Sequence, residues 1–332
     1  MSGAMLKKSL KAIAPPLIAI LLLYLVFEKT GIYLSTILST IQSTPTWLFI
    51  LLLATTLLQI FISALKWRLV TQKVSTSHSI KINNGFYVFY TALGASLGQL
   101  IPVHISSIIT RSLALRAHGN LNIKKGAFTS LYEQAFDLLI PIILVPSSLI
   151  AYIFDYSVTG WLLLSLASIF LGGWIVSEAG EKLSRSVCRY MDRKKLKSAF
   201  HERIHDILQA CIESGLFENK FLRRIFYLST FRFISILFRA ILIAMLIGSA
   251  ITALDVAKAF PLVQTTLLIA ITPGGLGISE WSWIGIFNAI GVNLDEAGLF
   301  AIVHRIYIVL TVFLICIVSG IYFYSLRSNQ KQ

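Results

Sequence analysis

The sequence predicts an all-α polytopic membrane protein with about six transmembrane helices, two re-entrant broken-helix hairpins and an inverted repeat. Three observations predict it. Of 332 residues, 56% are hydrophobic and only 13% are charged, about half the charged fraction of an ordinary soluble domain, and the mean hydropathy is +0.77. Several uncharged runs reach or approach the roughly 20 residues that cross the hydrocarbon layer. Two further apolar runs are broken by proline and glycine, which cannot continue a helix.

The first span covers about 12–27, behind Lys7, Lys8 and Lys11. This has the layout of a secretory signal, but no small-residue cleavage site follows. A retained helix with a cytoplasmic N-terminus is therefore expected. Residues 31–46 are too short and polar to span and suit a helix in the outer interface. The second span, 47–65, is followed by Lys66, Arg68, Lys73 and Lys81, read as a cytoplasmic basic loop.

The stretch 86–101 is laced with Gly94, Ala95, Ser96 and Gly98 and ends at Pro102. A crossing here would put basic loops on opposite sides, so a hairpin entering from the cytoplasm is expected, with the small residues letting its limbs approach closely. The third and fourth spans cover about 128–154 and 161–176. Residues 178–224 hold eleven Lys or Arg and seven acids and read as an amphipathic cytoplasmic excursion. A fifth span, 225–250, leads to the outer side.

A second hairpin follows from outside, broken at Thr272-Pro273-Gly274-Gly275-Leu276-Gly277. A sixth span, 298–326, returns to a cytoplasmic tail. This arrangement leaves only Lys29 and Lys258 as basic residues outside, so orientation accounts for the net charge of +14 and nucleic acid is not an expected partner. Two broken elements facing opposite leaflets are what an inverted-repeat transporter contains. Cys188, Cys211 and Cys316 neither pair nor show metal-ligand spacing.

Ionisable residues within spans are functional candidates because charge in a membrane is costly. Glu133 and Asp137, four apart, share one helical face, as do Arg232 and Arg239, seven apart. Glu280 follows the glycine break and Arg305 lies early in the sixth span. One reading pairs these groups structurally. The other lines a hydrated cavity for an anionic headgroup with Arg232, Arg239 and Arg305, opposed by Glu133, Asp137 and Glu280, with Arg111 as a fourth cation. Pro102, Pro273, Gly274, Gly275 and Gly277 form the hinges.

His201-Glu202-Arg203-Ile204-His205 matches the H-E-x-x-H pattern of zinc proteases, but Arg203 lies inside it and no clear third ligand accompanies it. No metal, cofactor or catalytic residue is assigned. A phosphate-binding glycine loop with Lys-Ser/Thr is absent from the sequence, which argues against ATP-driven transport by this chain alone.

The residues Pro273-Gly274-Gly275-Leu276-Gly277-Ile278-Ser279-Glu280 resemble the PGGxGxxE signature of the lysylphosphatidylglycerol synthase transmembrane-region (flippase-like) membrane proteins. Gly291-Val292, Ala297 and His304-Arg305 follow at similar distances. Glu133 to Asp137 looks like the family's ExxxD element, and Leu100-Ile101-Pro102 to Arg111 like its proline-containing segment. Ser106, Ser107 and Gln134 depart from the Gly-acid pair and the arginine usual there.

The resemblance implies one flippase-like domain over 1–332 that moves lipids or lipid-linked precursors across an inner membrane. Its ligands would be membrane lipids, anionic or polyprenyl-phosphate-linked. Two-part members of the family carry a fused aminoacyl transferase domain; with Gln332 just after the sixth span, that transferase and lipid aminoacylation are not expected here. A homo-oligomer or a synthesis-enzyme partner fits the same reading. The alternatives are a non-catalytic scaffold of a glycolipid or envelope synthesis complex, and the zinc protease.

Overall fold

The computed structural model describes residues 3–75, 82–119, 121–194, 212–248, 250–269 and 272–329. Among them are eleven helices and no strand. They are α1 (Gly3–Thr30), α2 (Leu34–Gln42), α3 (Thr46–Val74), α4 (Asn84–Leu97), α5 (Val103–Gly119), α6 (Ile123–Ile153), α7 (Val158–Lys194), α8 (Asn219–Ile247), α9 (Ala253–Thr266), α10 (Ile278–Ala289) and α11 (Leu294–Asn329).

Five of these (α3, α6, α7, α8 and α11) contain segments long and apolar enough to cross a membrane. A sixth span results if the end of α1 and α2, bent by 89° at a short break, are taken together. The protein is a multi-pass membrane protein.

Helix ends differ from the sequence reading where charge occurs inside the protein. α3 continues to Val74, so Lys66 is not the start of a basic loop but a fully buried residue of the span. Lys258 is likewise buried, with its ammonium 5.7 Å from the centre of the Tyr152 ring. The excursion expected at 178–224 begins as a continuation of α7 to Lys194, and its end forms the start of α8. Residues 195–211 lie outside the described residues.

Two pairs of helices are too short to span. α4 has 14 residues and α10 has 12, about 21 Å and 18 Å long at 1.5 Å per residue. In the first hairpin, α4 starts on an Asn83 side chain that accepts the Gly85 N–H at 3.3 Å. It stops before Pro102, and α5 returns against it. The expected close approach occurs at Gly94, where an added Cβ would sit 3.3 Å from the Cα of Ser107. Ser106 Oγ donates to the Gly94 carbonyl at 2.7 Å.

In the second hairpin, Thr252 and Asp255 form a capping box at the start of α9. The chain then passes through a short 3-10 turn at Pro273–Gly275 before α10. Gly274, Gly275 and Gly277 have φ of +58°, +69° and +81°, a region that other residues enter only with strain.

The hairpin tips meet. The Gly274 N–H donates to the Ile101 carbonyl at 3.4 Å, and a Cβ on Gly274 would lie 2.9 Å from the Gln99 carbonyl oxygen. Connectivity puts the hairpins on opposite faces. The first joins the end of α3 to the start of α6, and the second joins the end of α8 to the start of α11, with the single crossing of α7 between the two units.

The packing repeats accordingly. α4 packs on α11 as α9 packs on α6, α5 lies on α6 as α10 lies on α11, and α3 faces α8. Thus α3–α6 and α8–α11 form an inverted repeat around the tip contact. α1 has no counterpart in this scheme. It covers the second hairpin, where Trp281 Nε1–H donates to the Leu22 carbonyl at 3.1 Å.

This topology puts Arg116, exposed near the end of α5, and Asn293, exposed between α10 and α11, at opposite faces. In a cysteine-free background, Arg116→Cys and Asn293→Cys are expected to react with an impermeant thiol reagent from opposite sides of a sealed vesicle. Reaction of both from one side would contradict the inverted arrangement.

Candidate functional site

Between the two repeat units lies a cavity of about 220 Å³. The hairpin tips contribute Gly98, Gln99, Gly274 and Gly275 to its wall, and α3, α4, α5, α6, α8, α9 with the 3-10 turn after it, α10 and α11 supply the rest. Placing both helix breaks on one cavity has a physical reason. Backbone groups freed by a break are tolerated at membrane depth only inside protein or against a hydrated space.

Two cations of the first unit, Lys66 and Arg111, and one of the second, Arg232 on α8, meet the two carboxylates of α6. Lys66 Nζ lies 3.1 Å from Glu133 Oε1 and also pairs with Asp137. It donates to Ser229 Oγ at 2.9 Å as well. Arg111 Nη1 donates to Glu133 Oε2 at 2.7 Å, and its guanidinium lies over the Trp67 ring at 5.1 Å. Arg232 Nη1 approaches Asp137 Oδ2 at 3.4 Å, while its Nε donates to Ser63 Oγ at 2.8 Å. The one-turn spacing of Glu133 and Asp137 on α6 is what lets a single ammonium bridge them.

The second unit repeats the motif with the signs exchanged. In the first, the cation Arg111 is on the returning limb and the acid on the following span. In the second, Glu280 is on the returning limb α10 and Arg305 on the following span α11. Arg305 Nε donates to Glu280 Oε1 at 2.6 Å and Nη1 to the Gly274 carbonyl at 2.8 Å. The other carboxylate oxygen of Glu280 accepts the Gly277 N–H at 2.6 Å. The pair therefore takes up backbone groups on both sides of the break.

Arg239 differs from all of these. It is 3% exposed, and its Nη1 donates to Thr56 Oγ1 at 3.1 Å and Gln59 Oε1 at 3.0 Å. Among the described residues it has no carboxylate partner, and its Nε finds no acceptor. Five other residues of the cavity wall have a buried polar atom without a hydrogen-bond partner among the described residues: Trp283 Nε1 and His304 Nε2, and also His104 Nε2, Arg111 Nε and Glu133 Oε1, the last in ion-pair contact with Lys66. Five cations (Lys66, Arg111, Arg232, Arg239 and Arg305) thus face three carboxylates, an excess of two positive charges among the described residues.

All seven charged residues singled out in the sequence converge here. Arg111, Glu133, Asp137, Arg232, Arg239 and Arg305 line the cavity, and Glu280 stands behind Arg305. Gly274 and Gly275 form part of the wall. Pro102, Pro273 and Gly277 shape the breaks without lining the cavity. Of the three arginines set against the three acids, Arg239 pairs with none: Asp137 is taken by Lys66 and Arg232, Glu133 by Lys66 and Arg111, and Glu280 by Arg305.

Lys66 is the main residue that the sequence reading assigned elsewhere. The signal for it is a polar stripe on α3, Thr56, Gln59, Ser63 and Lys66, whose 3-4-3 spacing follows one helical face. His201, Glu202 and His205 lie outside the described residues. Among the described residues no group of His, Cys, Asp or Glu could hold a metal ion.

The paired charges and Arg239 predict opposite effects on stability. Glu133→Gln leaves Arg111 without an anion and Lys66 with only one, so it is expected to destabilise the fold by about 3–5 kcal/mol, the usual effect of breaking a buried pair. Thermal unfolding in detergent should show a large downward shift. An unchanged midpoint would mean that these pairs do not hold the bundle together.

Comparison with known proteins adds the family. Neither a search of curated proteins nor a search of solved structures found a match. A family model described as Lysylphosphatidylglycerol synthase TM region matches residues 12–316, from α1 into α11 and across the whole cavity. The chain belongs to this family, the Lysylphosphatidylglycerol synthase TM region.

Proposed function

We propose that the chain is a lipid carrier, a flippase that moves an anionic, phosphate-bearing lipid or lipid-linked precursor across the inner membrane. Arg239 carries the reading. A buried guanidinium without a counter-charge is costly, and it adds nothing to the fold that a neutral residue could not supply. A ligand phosphate would give it a partner, since arginine binds phosphate in a bidentate, charge-assisted geometry.

The fold offers a mechanism. The headgroup occupies the cavity while its apolar chains stay in lipid, and the inverted units rock about the tip contact between Ile101 and Gly274 to open the site to alternate faces. Glu280 and Arg305 hold the second hairpin together as it moves. In this reading the chain is a carrier and not an enzyme, needs no cofactor, and has membrane lipids as its ligands.

The orientation proposed is the one the basic residues favour. Arg116, Lys124 and Lys125 mark the cytoplasmic face, both termini lie on that face, and Asn293 lies on the outer one.

Proteoliposomes test the function. Arg239→Gln is expected to abolish translocation of a fluorescent anionic phospholipid while leaving the unfolding midpoint unchanged or raised, because no carboxylate loses its partner. A variant that transports at the wild-type rate would reject the site and favour a scaffold, whose role does not need the intramembrane charges.

A further inference from the structure

We infer that the headgroup is a terminal phosphate monoester, the doubly charged end of a diacylglycerol phosphate or a polyprenyl phosphate, in preference to the singly charged phosphodiester of an ordinary glycerophospholipid. The inference rests on the lipid-carrier reading and narrows its substrate.

Charge is the first argument. The cavity cations exceed its carboxylates by two among the described residues. One excess charge is Arg239. The other belongs to the Lys66, Arg111 and Arg232 group, where three cations share Glu133 and Asp137. Arg232 is the least committed of the three. Its contact with Asp137 is the longest in the group, 3.4 Å, and its side chain is 23% exposed. It lies two turns from Arg239 on the same face of α8, so both guanidinium groups can converge on one anion. A monoester phosphate carries about −1.5 to −2 charge at neutral pH, which matches the excess, whereas a phosphodiester leaves one cation uncompensated. A headgroup bearing an amino group would bring a further cation to a site that already has two too many.

Donors and space agree with this. Arg239 Nε–H and Trp283 Nε1–H are buried donors without acceptors among the described residues, and His304 Nε2 beside them is likewise unpartnered. Trp283 and His304 are held edge to face, with ring centroids 5.6 Å apart. A monoester offers three terminal oxygens to such an array, one more than the two non-bridging oxygens of a diester. The cavity, at about 220 Å³, is smaller than the roughly 300–1,000 Å³ of pockets that enclose drug-sized ligands. It has room for a phosphate headgroup.

The test is equilibrium binding to the purified full chain in detergent, with four probes: dioleoyl phosphatidic acid, farnesyl monophosphate, dioleoyl phosphatidylglycerol and inorganic phosphate. Both monoester lipids are expected to bind about tenfold or more tighter than phosphatidylglycerol, and Arg239→Gln to remove most of that preference. Inorganic phosphate is expected to bind weakly, because it lacks the chains that stay in lipid.

Equal affinity for the monoester and diester lipids, with both weakened by Arg239→Gln, would overturn the inference and leave the lipid carrier standing. Inorganic phosphate binding as tightly as the lipids, or no binding of any lipid, would overturn both. The preference is measured on the unaltered protein, so the result does not depend on the variant folding.

Discussion

The break between α9 and α10 frees backbone N–H and C=O groups at a depth where a bilayer supplies no water, and the Glu280–Arg305 pair takes up two of them. Glu280 accepts the N–H of Gly277, and Arg305 donates to the carbonyl of Gly274. With those groups satisfied, three glycines at positive φ can turn the chain back. The tip of the second hairpin can then rest on that of the first. Without the clip, the hairpin would leave uncompensated polar groups in an apolar medium, and the cavity would lose one of its walls. The ion pair thus does its structural work through the backbone it covers.

The same logic separates charges that hold the fold from the one that does not. Lys66, Arg111 and Arg232 share Glu133 and Asp137, and each of the three also contacts a hydroxyl or aromatic group. Arg239 has only neutral acceptors. The two units exchange the signs of their pairs, cation on the limb in one and acid in the other, so fold symmetry does not impose symmetry of charge. An inverted repeat with an asymmetric field can present one preferred site at its centre while keeping two equivalent routes of opening.

Much of this was legible in the sequence, and the limits have physical causes. The spans were readable from apolar length. Both breaks were readable from proline and glycine, and the PGGLGISE run pointed to the family. Glu133 with Asp137, and Arg232 with Arg239, could be placed on shared faces from spacing alone. Pairing across helices could not, because periodicity gives a face but not what it faces, and Asp137 proved to belong to Arg232 and Lys66. Lys66 was misplaced because a lysine at the end of an apolar run looks the same whether it meets headgroups or a buried acid. The polar stripe running back to Thr56 distinguishes the two, and it becomes visible once α3 is followed beyond Leu65.

The central claim is that the excess positive charge in the cavity is matched by a lipid phosphate. Mass spectrometry of lipids that copurify with the protein from its native membrane tests it most directly. A phosphate-bearing lipid retained by the wild-type protein and lost from Arg239→Gln is the predicted result. The same lipids in the same amounts on both proteins would contradict it.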